Sequence, residues 1–305
     1  MKQIAKKDFS RIGFSYLTMG ILAIVSQIFI AVIVSKFNPE ILTNVNITTT
    51  ISFVCQYIVP FPVLYLLLKK IEKTDIERHS LSLRKFAICF CITFALMYIG
   101  NIIGLSITGI IEVFKHTEVI NPIVNLINSS SIMVNLILIS LIAPIFEEIF
   151  FRKFLIDRTI KYGAKISIIL SALMFGLFHG NLNQFFYAFF LGGFFACIYI
   201  KTGKIIYPII LHMLTNTFGS VVTLAVQSLI ESLGNTIFGI GVNIAYFLIL
   251  AIVLVIGLAY IIKWSRIFGK FKNNIENPLK TSLLNVGMAL FILFFVIEIV
   301  YTIIV

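Results

Sequence analysis

Residues 141–155 read LIAPIFEEIFFRKFL and place Glu147, Glu148 and Arg152 inside an apolar run whose other charge is Lys153. Just upstream, residues 132–145 carry no charge at all. Such a run reads as a helix embedded in lipid, where an ionisable side chain is costly and marks a candidate site by default. Glu148 and Arg152 are four residues apart, so on a helix they share a face and suit an ion pair. Glu147 points about 100° away from Glu148 by helix geometry. The expectation is a Glu148–Arg152 pair that orients the segment and a Glu147 carboxylate left free for chemistry. Pro144 lacks an N–H, which in an α-helix leaves the Ser140 carbonyl unpaired and predicts a kink just before the glutamates.

Working outward, the 305-residue chain is 59% hydrophobic and 12% charged. Soluble domains average about a quarter charged residues, so this composition excludes an ordinary soluble enzyme. It predicts an all-α, polytopic bundle of eight to nine transmembrane helices. The net charge of +11 would suggest nucleic acid in a soluble protein. Here the basic residues fall between apolar runs, where they set orientation in a bilayer, so no nucleic-acid partner is expected. Cys55, Cys89, Cys91 and Cys197 all lie within apolar runs without metal-type spacing and read as packing residues. The 30 phenylalanines read as lipid-facing and core filler. The first apolar run has no obvious small-residue cleavage site and reads as a retained helix.

A helix needs about 17–25 apolar residues to cross a bilayer. Nine runs qualify, near residues 12–35, 50–68, 86–111, 132–151, 166–180, 183–200, 205–222, 240–262 and 282–305. The fifth and sixth are short and joined by the tight polar turn Gly180-Asn181-Leu182-Asn183-Gln184, so one or both are candidates for not reaching the far surface. With the amino terminus cytosolic, 21 of the 24 Lys and Arg residues fall inside, Lys153, Arg158 and Arg266 among them. Lys36 and Lys115 fall outside, and Arg152 stays at membrane depth. Residues 69–85 carry charges of both signs and read as a solvated cytosolic loop. Residues 223–239 suit either an outer interfacial helix or an ordinary loop. The chain divides into N-terminal helices (1–130), a catalytic helical core (131–222) and C-terminal helices (223–305).

Three further polar or small-residue elements sit at membrane depth: Phe175-x-x-x-His179, His212-x-x-x-Asn216, and Gly192-Gly193 with Ala196. The last reads as close helix packing. Counted from Lys165, Lys204 and Arg158 respectively, His179, His212 and Glu147 lie about 21, 12 and 16 Å into the membrane, a similar layer that allows convergence. Two imidazoles and a carboxylate can hold zinc and leave a position for water. A carboxylate alone can also act as general base on that water. Asn216, one turn from His212, is placed to donate to a developing oxyanion. The bland readings are a packed histidine at each of His179 and His212 and a purely structural Glu148–Arg152 pair. His79 and His116 fall in loops, and Pro208 in the first turn of its helix.

Glu147-Glu148-x-x-x-Arg152, Phe175-x-x-x-His179 and His212-x-x-x-Asn216, in that order, resemble the CPBP family of intramembrane proteases. That family is also called Abi or CAAX-protease-like, and it includes Rce1-type prenyl proteases and bacteriocin-immunity proteins. The resemblance covers about residues 130–222. It implies that Glu147 activates water with support from Glu148 and Arg152. It further implies that His179 and His212 complete the site or, with Glu147, hold a metal, and that Asn216 stabilises the oxyanion. The implied function is an intramembrane endopeptidase acting on a membrane protein or peptide. Prenylated CAAX proteins belong to eukaryotic members, whereas the Ile-, Asn- and Lys-rich usage here, with one tryptophan, suggests the plasma membrane of an AT-rich bacterium. The alternative is a non-catalytic membrane partner such as a bacteriocin self-immunity protein. A proton- or ion-coupled transporter is disfavoured, since no internal repeat is evident. Substrate and oligomeric state are open at this point.

Overall fold

Long uninterrupted apolar stretches leave the backbone only one way to satisfy its polar groups in lipid, and the chain takes it: helix follows helix. The computed structural model describes residues 2–263 and 270–304. Among them, eight helices are long and apolar enough to cross a membrane. These are α1 (Lys2–Phe37), α2 (Val45–Leu68), α3 (Leu83–Lys115), α5 (Ile132–Tyr162), α7 (Leu182–Thr202), α8 (Ile206–Leu233), α9 (Ile237–Ile262) and α11 (Val286–Ile304). Two short helices, α4 (Pro122–Ser129) and α10 (Pro278–Leu283), precede α5 and α11. The remaining apolar run, the fifth in chain order, is α6 (Ala164–Phe178), whose 15 residues fall short of a spanning length. The protein is a multi-pass integral membrane protein.

Three boundaries differ from the sequence reading. The fourth span does not end at residue 151. It runs on as helix to Tyr162, so Lys153, Arg158 and Lys161 sit on α5 rather than in a loop. Arg158 is buried there, its Nε donating to the Leu68 carbonyl at 2.8 Å. Residues 223–233 continue the preceding span as part of α8 rather than forming a separate loop or interfacial helix. The sixth run, α7, has 21 residues, so only the fifth is short. Arg266, counted among the inner basic residues, lies outside the described residues.

The basic segments meet at one end of the bundle. Tyr162 donates to Asp8 at 2.6 Å, and Lys161 pairs with the same carboxylate at 3.3 Å. Residues 72–82 form an extended strap across that end. It is tied by Thr74 N–H to the Asp157 carbonyl (2.6 Å) and His79 N–H to the Thr202 carbonyl (2.8 Å). At the opposite end Lys115 Nζ donates to the Ile303 carbonyl at 2.6 Å.

The centre of the fold is α5 with the hairpin α6–α7. On α1, Ala5, Phe9, Ile12, Tyr16 and Met19 form one buried stripe at helical spacing. Tyr16 hydroxyl reaches the Phe150 carbonyl of α5 at 2.5 Å. Phe53, Phe61 and Tyr65 of α2, with Tyr57 between them, interleave with Phe146, Phe150 and Phe154 of α5 as a ladder of rings. Its centroid separations run from 4.9 to 6.4 Å. The small residues of α7 do what their spacing suggests. A Cβ on Gly192 would lie 3.0 Å from Phe175 Cδ1 and 3.1 Å from Ala172 Cα. Gly192→Val is therefore expected to lower stability by about 1–3 kcal/mol through overpacking. Gly241→Val, with nothing within 4 Å of its added Cβ, is expected to stay within about 0.5 kcal/mol of wild type. Unfolding in mixed micelles compares the two.

Candidate active site

Glu147 and Glu148 sit on a short α-helical piece of α5 bracketed by two widened, π-helical stretches, Asn135–Ile142 and Ile149–Phe154. In the first stretch the N–H of Ala143 reaches back five residues to the Leu138 carbonyl. In that register the next carbonyl, Ile139, would pair with residue 144, which is proline and has no N–H. The orphan is therefore Ile139 rather than Ser140. Asn216 of α8 supplies the missing donor, its Nδ2 lying 3.0 Å from the Ile139 oxygen. One hydrogen of the Asn216 amide thus braces the α5 backbone, which the sequence reading of Asn216 as an oxyanion donor did not include. The Ser140 and Ser220 hydroxyls, 3.1 Å apart, join the same two helices one step further on.

Arg152 is fully buried, and its Nε lies 2.9 Å from Glu148 Oε2. The guanidinium stacks over Phe175 of α6 at 4.4 Å and faces Phe195 of α7 at 5.5 Å. Its NH2 approaches the Gly192 carbonyl at 3.5 Å, while NH1 is buried without a hydrogen-bond partner. Glu148 is equally buried, and its other oxygen, Oε1, lies 2.8 Å from His212 Nδ1. A carboxylate there assigns the proton to Nδ1 and leaves Nε2 facing Glu147 Oε2, 3.6 Å away. The separation exceeds a hydrogen bond, and a water seated to one side of the pair reaches both atoms.

Glu147 is not free, contrary to expectation. The Tyr57 hydroxyl of α2 donates to its Oε1. Sequence reasoning missed Tyr57, although a signal exists: Phe53, Tyr57, Phe61 and Tyr65 recur every fourth residue and put two hydroxyls, at 57 and 65, on an otherwise phenyl face. His179 caps the end of α6, with Nδ1 2.8 Å from the Phe175 carbonyl. The Phe175 ring separates the two histidines, edge-on to His179 at 4.9 Å and to His212 at 5.7 Å. A polar wall completes that side. Asn181 donates to the His179 carbonyl at 2.8 Å, and Gln184 Nε2 to the Tyr187 hydroxyl at 2.6 Å.

Glu147, Glu148, Arg152 and His212 thus meet, Asn216 lies one turn from His212 on α8 with its amide on the Ile139 carbonyl, and His179 packs on the same Phe175 ring as His212. A metal held by His179, His212 and Glu147 is a stricter demand. Among the described residues no three His, Cys, Asp or Glu side chains are gathered as a set that could hold an ion. The three do not fit a ligand set as arranged.

The buried pair makes a stability prediction. Arg152→Met strands Glu148 in the core and is expected to cost about 3–5 kcal/mol. Lys153→Met breaks a pair whose lysine side chain is 44% exposed and is expected to cost at most about 1 kcal/mol. Folded yield and unfolding in mixed micelles read both.

Residues 129–218 match the family model described as type II CAAX prenyl endopeptidase Rce1-like. The chain is 30% identical over 119 residues to YdiL of Bacillus subtilis (strain 168), whose name assigns it provisionally as a membrane peptidase. That match covers 37% of this chain and 48% of YdiL, so the chain spans about half the length of that relative. It is 27% identical over 224 residues to the membrane-embedded CAAX protease MroQ of Staphylococcus aureus (strain USA300), covering 68% of this chain and 88% of MroQ. No solved structure matches. Every motif residue from Glu147 to Asn216 falls inside the matched segment, and the resemblance holds: over residues 129–218 this chain is similar to the Rce1-like CAAX endopeptidases.

Proposed function

We propose that the protein is an intramembrane endopeptidase that hydrolyses a peptide bond of a membrane protein or peptide with water activated by Glu147. The observation that carries this reading is the facing pair Glu147 Oε2 and His212 Nε2, 3.6 Å apart and buried at membrane depth. Both atoms accept protons when Nδ1 of His212 is held by Glu148. A water between them donates one hydrogen to each and turns a lone pair outward for attack. Arg152 holds Glu148 in place and so fixes the imidazole through it.

In the proposed reaction the water oxygen bonds to the scissile carbonyl carbon, and its proton passes to Glu147 Oε2. The carbonyl becomes an oxyanion. The second hydrogen of the Asn216 amide is the donor left to meet it. Collapse breaks the carbon–nitrogen bond, and Glu147 returns the proton to the leaving amine. The names of the relatives, a CAAX protease and a membrane peptidase, support hydrolysis over a purely structural network.

The test uses protein reconstituted in liposomes with a library of membrane-inserted peptides, products being read by mass spectrometry. Glu147→Gln is expected to lower cleavage by about 10²–10⁴-fold with folded yield retained. Unchanged cleavage in that variant refutes the reading. Metal content, measured beside His179→Ala and His212→Ala, decides the role of the histidines. Near-stoichiometric zinc lost in both variants would make them ligands. A metal-free, active wild type would leave Glu147 and His212 to act on water themselves.

A further inference from the structure

The peptidase reading uses one oxygen of Glu147 and leaves the other unexplained. That second oxygen, Oε1, accepts the hydroxyl of Tyr57, which lies on α2, outside the segment that carries the three motifs. Both partners are buried. We infer that Tyr57 is a positioning residue of the same site: it holds Glu147 Oε1 so that Oε2 is the oxygen presented to His212 and the reacting water. This inference rests on the proposed peptidase function.

Three observations support a positioning role over incidental contact. The Glu147 side chain has three rotatable bonds, and no basic group in the described contacts lies closer to it than His212 at 3.6 Å. Without Tyr57, Glu147 has no hydrogen bond to choose which oxygen faces His212. Second, the Tyr57 ring cannot swing away. It is packed against Phe53 at 4.9 Å, Phe146 at 5.8 Å and Phe150 at 6.4 Å. The hydroxyl is thus fixed by a ladder whose other rungs carry no hydroxyl near the glutamate. Third, Tyr57 lies in a π-helical stretch, Val54–Ile58, a widened turn that reorients side chains and recurs at functional sites. The proton balance agrees with this division of labour. Tyr57 keeps its own hydrogen throughout, and the transferred proton enters and leaves on Oε2.

Tyr57→Phe removes the oxygen and leaves the ring ladder standing. Expected is a fall in kcat of about 10–100-fold with KM unchanged, the size seen when an outer hydrogen-bond partner of a reacting group is lost. Phe61→Leu loosens the same ladder one turn away without touching the hydroxyl. It is expected to keep the wild-type kcat. An infrared difference spectrum, with the Glu147 band identified by Glu147→Gln, should show that band shifted in Tyr57→Phe and unshifted in Phe61→Leu. Wild-type kcat in Tyr57→Phe, or an equal fall in Phe61→Leu, overturns the inference while leaving the peptidase reading intact if Glu147→Gln is inactive. Cleavage that survives Glu147→Gln overturns both.

Discussion

A guanidinium with no exposure at all, in the middle of an apolar helix, is the constraint around which this bundle is arranged. Moving a charge from water into a low-dielectric interior costs several kcal/mol per ion even after relaxation, and lipid offers no relief. Arg152 therefore has to be met from several directions at once. Glu148 meets it from one turn earlier on α5, Phe175 from α6, and the Gly192 carbonyl and Phe195 from α7. His212 of α8 then completes the second oxygen of Glu148. Four helices are located by the needs of one ion pair. Gly192 shows the coupling well: the missing side chain that lets α7 approach α6 also brings a carbonyl within reach of the arginine.

The polar partners that obey α-helical spacing were legible in the sequence. Glu148 and Arg152 differ by four, and so do Phe175 and His179, and the chain order of the motifs suffices to name the helices that must meet. What escaped were contacts that depend on register or on which apolar face meets protein. The brace from Asn216 to α5 is one such contact, because α-helical counting orphans the Ser140 carbonyl. The π register moves that orphan to Ile139, within reach of the amide. Tyr57 escaped for a different reason. In lipid the outside of a helix is as apolar as its packed face, so hydrophobic patterning cannot tell Phe53 and Phe61 on a ladder from Phe29 or Phe247 facing hydrocarbon. Continuity of helix past residue 151 was hidden by Lys153, Arg158 and Lys161, which read as the end of a span. Each is met separately: Lys153 by Asp157 at 2.7 Å, Arg158 by the Leu68 carbonyl at 2.8 Å and Lys161 by Asp8 at 3.3 Å.

The short helix α6 forms the side of the candidate site that carries His179. It ends at Phe178, and the chain turns through His179 and Gly180, the glycine at φ +62. Non-helical backbone at membrane depth is tolerated only where protein or a water-filled cavity satisfies it. Here the Asn181 amide takes the His179 carbonyl at 2.8 Å, the Thr302 hydroxyl of α11 approaches the Gly180 carbonyl at 3.4 Å, and the Asn181 carbonyl oxygen of the side chain caps Gln184 N–H at 2.9 Å. The turn is thereby made self-sufficient, and His179 needs only its Nδ1 for the fold. Its Nε2 faces no partner among the described contacts. Ending after 15 residues, α6 leaves His179 on the turn beside the Gln184–Tyr187 pair, its ring edge-on to Tyr187 at 6.2 Å. The Phe175 ring of the same helix stacks on the buried arginine and packs edge-on against both imidazoles, so the helix that shields Arg152 also sets where His179 and His212 lie.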